Sequence, residues 1–148
     1  MESEDEGARA GARAPAPRIV VVGPCAAGKS TLVGNLRPRG YAIRTCAQEH
    51  SHVQQLWLKY CRAEVLVYLD AGLETIARRQ GRADWTQERL AEQHRRLADA
   101  RRHCDFYLYT DGLSRKEVAD QVERFLIKAG IRGGGAGDGR SDRGDLDV

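Results

Sequence analysis

The chain has 148 residues, 41% of them hydrophobic and 30% charged, with a net charge of +3; that length suits one domain with one core. The longest apolar run is far shorter than a membrane span, and the acidic start "MESEDEG" is no signal peptide, so a soluble cytoplasmic protein is expected. Cys25, Cys46, Cys61 and Cys104 form no C-x-x-C pair and show no interleaved histidine ligand spacing, so zinc is not expected and the thiols are read as small apolar packing residues.

Residues 1–17 are acidic and then Ala/Arg/Pro-rich, and residues 131–148 are Gly/Asp/Arg-rich. Both are expected to be disordered tails around a folded domain at 18–130. The tails carry −2 and −1, so the core holds about +6, a surface suited to polyanions such as nucleotides. Basic residues are not interleaved with aromatics, and no specific nucleic-acid site is expected.

Ile19–Val22 is a short β-branched run of the kind buried on both faces of a parallel sheet. Gly23-Pro24-Cys25-Ala26-Ala27-Gly28-Lys29-Ser30 follows, fitting G-x-x-x-x-G-K-[ST], and leads through Thr31 into a helix ended by Pro38 and Gly40. "YAIRT" (41–45) alternates as a strand nearer the sheet edge does. Ser51 and Gln54 fit a capping box for a helix within 51–63, with Val53, Leu56, Trp57 and Tyr60 on one face. "VLVYL" (65–69) reads as a second buried strand closed by Asp70, and "LETIARRQ" as a short helix. Thr86 can cap a long helix through residue 103 with a thin apolar stripe, and "DFYLYT" (105–110) is a last strand. Ser114 and Glu117 open the final helix with another capping box. Strands alternating with helices predict an α/β fold: a three-layer α/β/α domain, mostly parallel, with four or five strands and the glycine loop after the first.

The loop has a mechanism at each position. Its glycines let backbone N–H groups turn toward β- and γ-phosphates, and the helix beginning near Gly28 adds its positive end. Lys29 supplies a point charge, and the Ser30 hydroxyl is a ligand for Mg²⁺. A nucleoside triphosphate is the expected partner, and ATP is favoured over GTP because no N-K-x-D run is present. Cys25, inside the loop beside a lysine and a helix N-terminus, is a conceivable redox-sensitive thiolate.

Three stretches, "GPCAAGKST", "VLVYLDAGLETIARRQGRADW" and "CDFYLYTDGLSRKEVADQVERFL", together resemble the small P-loop kinases: the nucleoside-monophosphate, shikimate and gluconate kinase group of the P-loop NTPases. The resemblance covers most of residues 18–128. It implies an ATP- and Mg²⁺-dependent phosphotransferase, with Arg78, Arg79 and above all Arg82 as lid arginines on the transferring phosphoryl group. It also implies that Thr110, Asp111 and Gly112 edge the base.

The chain departs from that group where the acceptor binds. The relatives insert a strand with a Gly-rich turn and flanking helices where only 51–63 stands here, so the small-molecule acceptor is left open. "CAQEHSH" follows the second strand, at the edge where ligands bind in such sheets. Glu49 there is a candidate for holding a metal-bound water or acting as general base, and Gln48, His50 and His52 are candidates for acceptor contacts. Asp70 competes for the acidic role, because an apolar strand ending in Asp has the form of a Walker B strand that serves Mg²⁺. The alternative to a kinase is a nucleotide-binding regulatory or partner-binding module with slow or no turnover.

Overall fold

A computed structural model describes residues 16–82 and 84–133. Four strands are described: β1 (Ile19–Val22), β2 (Ile43–Thr45), β3 (Val65–Asp70) and β4 (Phe106–Tyr109). They form one all-parallel sheet in the order β2-β1-β3-β4. Parallel neighbours need a crossover, and the helices supply it. These are α1 (Lys29–Leu36), α2 (Leu56–Lys59), α3 (Leu73–Gln80), α4 (Gln87–Arg96), α5 (Ala98–His103) and α6 (Arg115–Lys128).

The period of two along each strand divides the core. Ile19, Val21, Val67 and Leu69 face one side, under Leu32 and Leu36 of α1, Ile76 of α3 and Val122 and Leu126 of α6. Val20, Val22, Leu66 and Tyr68 face the other, under Trp57 of α2, Leu97 before α5 and Ala100 within it. The result is the expected three-layer α/β/α arrangement. Each fully buried Leu or Ile contributes roughly 1.5–3 kcal/mol. On the second face Cys46 and Cys61 pack with their sulfurs 2.8 Å apart.

Several start signals act as expected. Ser114 and Glu117 form a complete capping box on α6, and the Thr86 hydroxyl accepts the Arg89 N–H at the head of α4. Two predicted helices differ. Ser51 caps no helix; its hydroxyl accepts the Val53 N–H in a tight turn, and only Leu56–Lys59 is α-helical in the 51–63 interval. The reason is tertiary: buried Gln48 takes the Trp57 N–H on its amide oxygen and donates to the Val53 carbonyl, which fixes the segment in a non-helical path. Val53 and Tyr60, expected on the buried stripe, are exposed. The long helix over 86–103 breaks at the buried Leu97, the junction of α4 and α5. That break lets α4 run from Leu90 on the first face past the C-terminal ends of the strands to the second face.

Of the expected tails at 1–17 and 131–148, residues 1–15 and 134–148 lie outside the described residues. Ile131 packs against the first core and its N–H reaches the Leu126 carbonyl, so the fold continues past Gly130. Among the described residues no helix is long and apolar enough to cross a membrane.

Candidate functional site

The loop between β1 and α1 is bent by steric necessity. A Cβ on Gly23 would sit 1.9 Å from the Leu69 carbonyl oxygen of β3, so only glycine fits that crossing. Gly28, with φ 105°, occupies the N-cap of α1, and Ala26 adopts a left-handed φ of 62° without being glycine. That conformation costs Ala26 about 1 kcal/mol, and the surrounding bonds hold it. Ala27 donates its N–H to the Pro24 carbonyl, while the Thr110 hydroxyl reaches the Asp70 carbonyl at 3.1 Å and the Ala27 carbonyl at 3.4 Å. Beside the loop lies a cleft of about 450 Å³, lined by residues 26–32, Arg79 and Thr110, and closed by Leu113 and, from the head of α6, Arg115 and Val118.

Lys29 is folded back over this loop. Its Nζ donates to the Gly23 carbonyl at 2.8 Å, the Pro24 carbonyl at 2.9 Å and Glu49 Oε2 at 3.1 Å. All three ammonium donors are thus used. The pair is nearly dry, with side-chain exposures of 11% for Lys29 and 6% for Glu49. Removing one member of such a pair strands the other charge, a loss on the order of 3–5 kcal/mol. Glu49 Oε1 is buried and has no hydrogen-bond partner.

Glu49 is presented by the short 3₁₀ turn Gln48–His50 after β2. Gln48, a sequence candidate for acceptor binding, is instead fully buried and bonded to Val53, Trp57 and the Arg96 carbonyl, so its role is to hold this turn. His50 is exposed, with Nε2 3.6 Å from Glu49 Oε2 and 3.4 Å from Cys25 Sγ. His52 is exposed as well.

Asp70 sits in a different circuit. In β3 it shares the parity of Leu66 and Tyr68, which puts it on the face away from α1. Oδ1 lies 3.0 Å from His94 Nε2 and accepts the Ala71 N–H, and Oδ2 accepts the Tyr107 hydroxyl at 2.8 Å. Burial pushes the Asp70 carboxyl up, but the His94 and Tyr107 hydrogen bonds outweigh it and hold it below the ordinary carboxylate range. Burial and the same Asp70 bond push Tyr107 up to about 12. Both oxygens of Asp70 are therefore committed to structure, which does not suit the Walker B metal role expected from the strand pattern.

The three arginines also part company. Arg79 donates from Nη1 to the Ala26 carbonyl at 2.9 Å and lines the cleft. Arg82, the favoured lid residue, forms an exposed fork with Asp84. Arg78 is exposed and is not part of the cleft wall. Asp111 accepts the Gly72 N–H and the Tyr109 hydroxyl and thereby braces the turn after β4 against the head of α3.

Sequence reasoning missed Gln93, Arg96 and Arg115. Gln93 crosses directly over the loop: its amide oxygen accepts the Cys25 N–H at 2.9 Å and its nitrogen donates to Cys25 Sγ at 3.2 Å. Arg96 Nη1 reaches the Glu49 carbonyl at 3.4 Å. A signal for Gln93 exists, because it interrupts the apolar stripe Leu90, Gln93, Leu97 with a polar group at a buried position. No protein-family model matches the chain, and no curated protein matches it.

Proposed function

We propose that the cleft beside residues 23–31 binds the polyphosphate of a nucleoside triphosphate, ATP before GTP, and that the chain is a small-molecule kinase of the small P-loop type. The observation that supports this most is the loop conformation: Gly23 pressed against Leu69, left-handed turns at Ala26 and Gly28, and Lys29 at the first position of α1. Backbone N–H groups there meet the positive end of the α1 dipole, the setting that favours phosphate oxygens. Lys29 exchanges the carbonyls of Gly23 and Pro24 for phosphate oxygens, and Arg79 and Arg115 add guanidinium charge from the cleft wall.

The donor set fits Mg²⁺ at Ser30, whose exposed hydroxyl stands in the first turn of α1 next to Lys29; the ion would offset charge developing on the phosphates. Glu49 is the acid beside Lys29 and is the base for an acceptor hydroxyl, with its free oxygen available for the proton. A second reading, a nucleotide-binding regulatory or partner-binding module with little turnover, is favoured by two features. Gln93 occupies the Cys25 N–H, and α2 is one turn long where an acceptor-binding segment would stand.

Calorimetric titration with MgATP and MgGTP, followed by ADP release with a panel of polyols, sugar acids and nucleosides, tests both. Binding in the micromolar range with acceptor-dependent ADP release is the result expected of a kinase. Binding without ADP above background removes the kinase and leaves the module. Absence of binding by either nucleotide at millimolar concentration overturns both.

A further inference from the structure

The nucleotide reading leaves Cys25 without a task, yet its sulfur is not randomly placed. Cys25 Sγ lies 3.4 Å from His50 Nε2, and that nitrogen lies 3.6 Å from Glu49 Oε2. The three donor atoms are all within 4.8 Å of one another. Zinc–sulfur bonds of about 2.3 Å and zinc–nitrogen or zinc–oxygen bonds of about 2.0 Å at tetrahedral angles separate S from N by about 3.6 Å and N from O by about 3.3 Å. The spacings in this cluster already approach those of ligands around one ion.

Two further observations point to a ligand. Glu49 Oε1 is buried without a hydrogen-bond partner, in a side chain more than nine-tenths buried. A carboxylate oxygen taken out of water and left unpaired is costly unless something satisfies it. Gln93 also grips Cys25 from both ends, its oxygen on the backbone N–H and its nitrogen on the sulfur, the kind of outer contact that orients a ligand. The other thiols are engaged elsewhere: Cys46 with Cys61, and Cys104 with the Arg101 carbonyl.

We propose that Cys25, Glu49 and His50 form a binding site for a zinc-class divalent cation, with a fourth position left open to an oxygen ligand. Thiolate, imidazole and carboxylate together select a borderline-soft ion over Mg²⁺ or Ca²⁺, which prefer oxygen alone. On binding, the Cys25 thiol releases its proton to solvent as the sulfur–metal bond forms, with no change of oxidation state. The site needs neither phosphate nor Ser30, but it shares Glu49 and the Cys25 loop with the kinase reading, so a bound cation takes the carboxylate that would act there as base.

Cobalt(II) titration of the full chain, kept reduced with a phosphine, reads the site directly. The expected result is a sulfur-to-cobalt charge-transfer band in the near ultraviolet with tetrahedral d–d absorption, saturating near one equivalent and erased by zinc. Cys25→Ser abolishes the band, and His50→Ala weakens cobalt binding at least about tenfold. Cys104→Ser and His52→Ala bind as the parent does. His50 is more than half exposed, so its truncation keeps the test alive if circular dichroism shows Cys25→Ser unfolded. Absence of the band in the parent, or a band unchanged by Cys25→Ser or His50→Ala, overturns the proposal. Loss of MgATP binding with the cobalt band retained counts against the nucleotide reading only.

Discussion

Glu49 and Asp70 lie at the C-terminal ends of the two strands that flank β1, and chemically they are opposites. Asp70 has a partner on each oxygen, so nothing further is asked of it. Glu49 places one oxygen between Lys29 and His50 and leaves the other buried and unpaired. A satisfied carboxylate holds a fold together, whereas an incompletely satisfied one beside a lysine is poised for a ligand or a proton. Strand parity produces the difference: Asp70 follows Leu66 and Tyr68 onto the face away from α1, while Glu49 stands beyond β2 on a turn free of that alternation.

The largest effect should come from the crossing that makes either acid relevant. Gly23→Ala drives a methyl into the Leu69 carbonyl, and we expect a loss of about 3 kcal/mol or more in denaturant unfolding. An unchanged midpoint would mean that β1 and β3 do not meet there as described.

Next come the acids themselves. Glu49→Gln should lower acceptor-dependent ADP release by about 100-fold or more, with MgATP affinity held within about threefold. Asp70→Asn should keep turnover per folded molecule within about threefold while losing about 1–3 kcal/mol of stability. Equal losses of turnover in the two variants would erase the contrast between them.

Acid titration sharpens the Asp70 side. A carboxyl held below its ordinary range stabilises the fold fully above the unfolded value of about 3.9, and loses that contribution as pH falls through the folded value. The stability gap between the parent and Asp70→Asn should therefore be flat from about pH 7 to 5 and close below about pH 4. A gap that widened with acid would contradict the bonds from His94 and Tyr107.

The smallest effects concern the arginines. Arg79→Ala should weaken MgATP binding several-fold, because it removes the guanidinium on the Ala26 carbonyl. Arg82→Ala, an exposed fork with Asp84, should leave binding within about twofold. The reverse order, read by calorimetry, would restore Arg82 as the lid residue.

Local chemistry was legible in this chain wherever local chemistry decides. The all-apolar Ile19–Val22 and the Ser114/Glu117 box each specify their element within a few residues, and the structure has them as read. The 51–63 segment does not follow its local helix signals because Gln48 bonds to the Arg96 carbonyl, 48 residues away in sequence, and pins the chain out of a helix. Gln93 was legible only as a polar break in the stripe Leu90, Gln93, Leu97; its partner Cys25, 68 residues away, was not. Of the two acids, parity counting along "VLVYLD" from the buried Tyr68 would have turned Asp70 away from α1.

The central claim is that Lys29 and its loop hold a triphosphate, and calorimetric titration of MgATP into Lys29→Met tests it most directly. Because that change strands Glu49, the double variant Lys29→Met/Glu49→Gln is titrated beside it, with circular dichroism as the check on folding. The account predicts that affinity falls by at least about 100-fold in whichever variant is folded. Parent-like MgATP affinity in a folded variant without the Lys29 ammonium would contradict it.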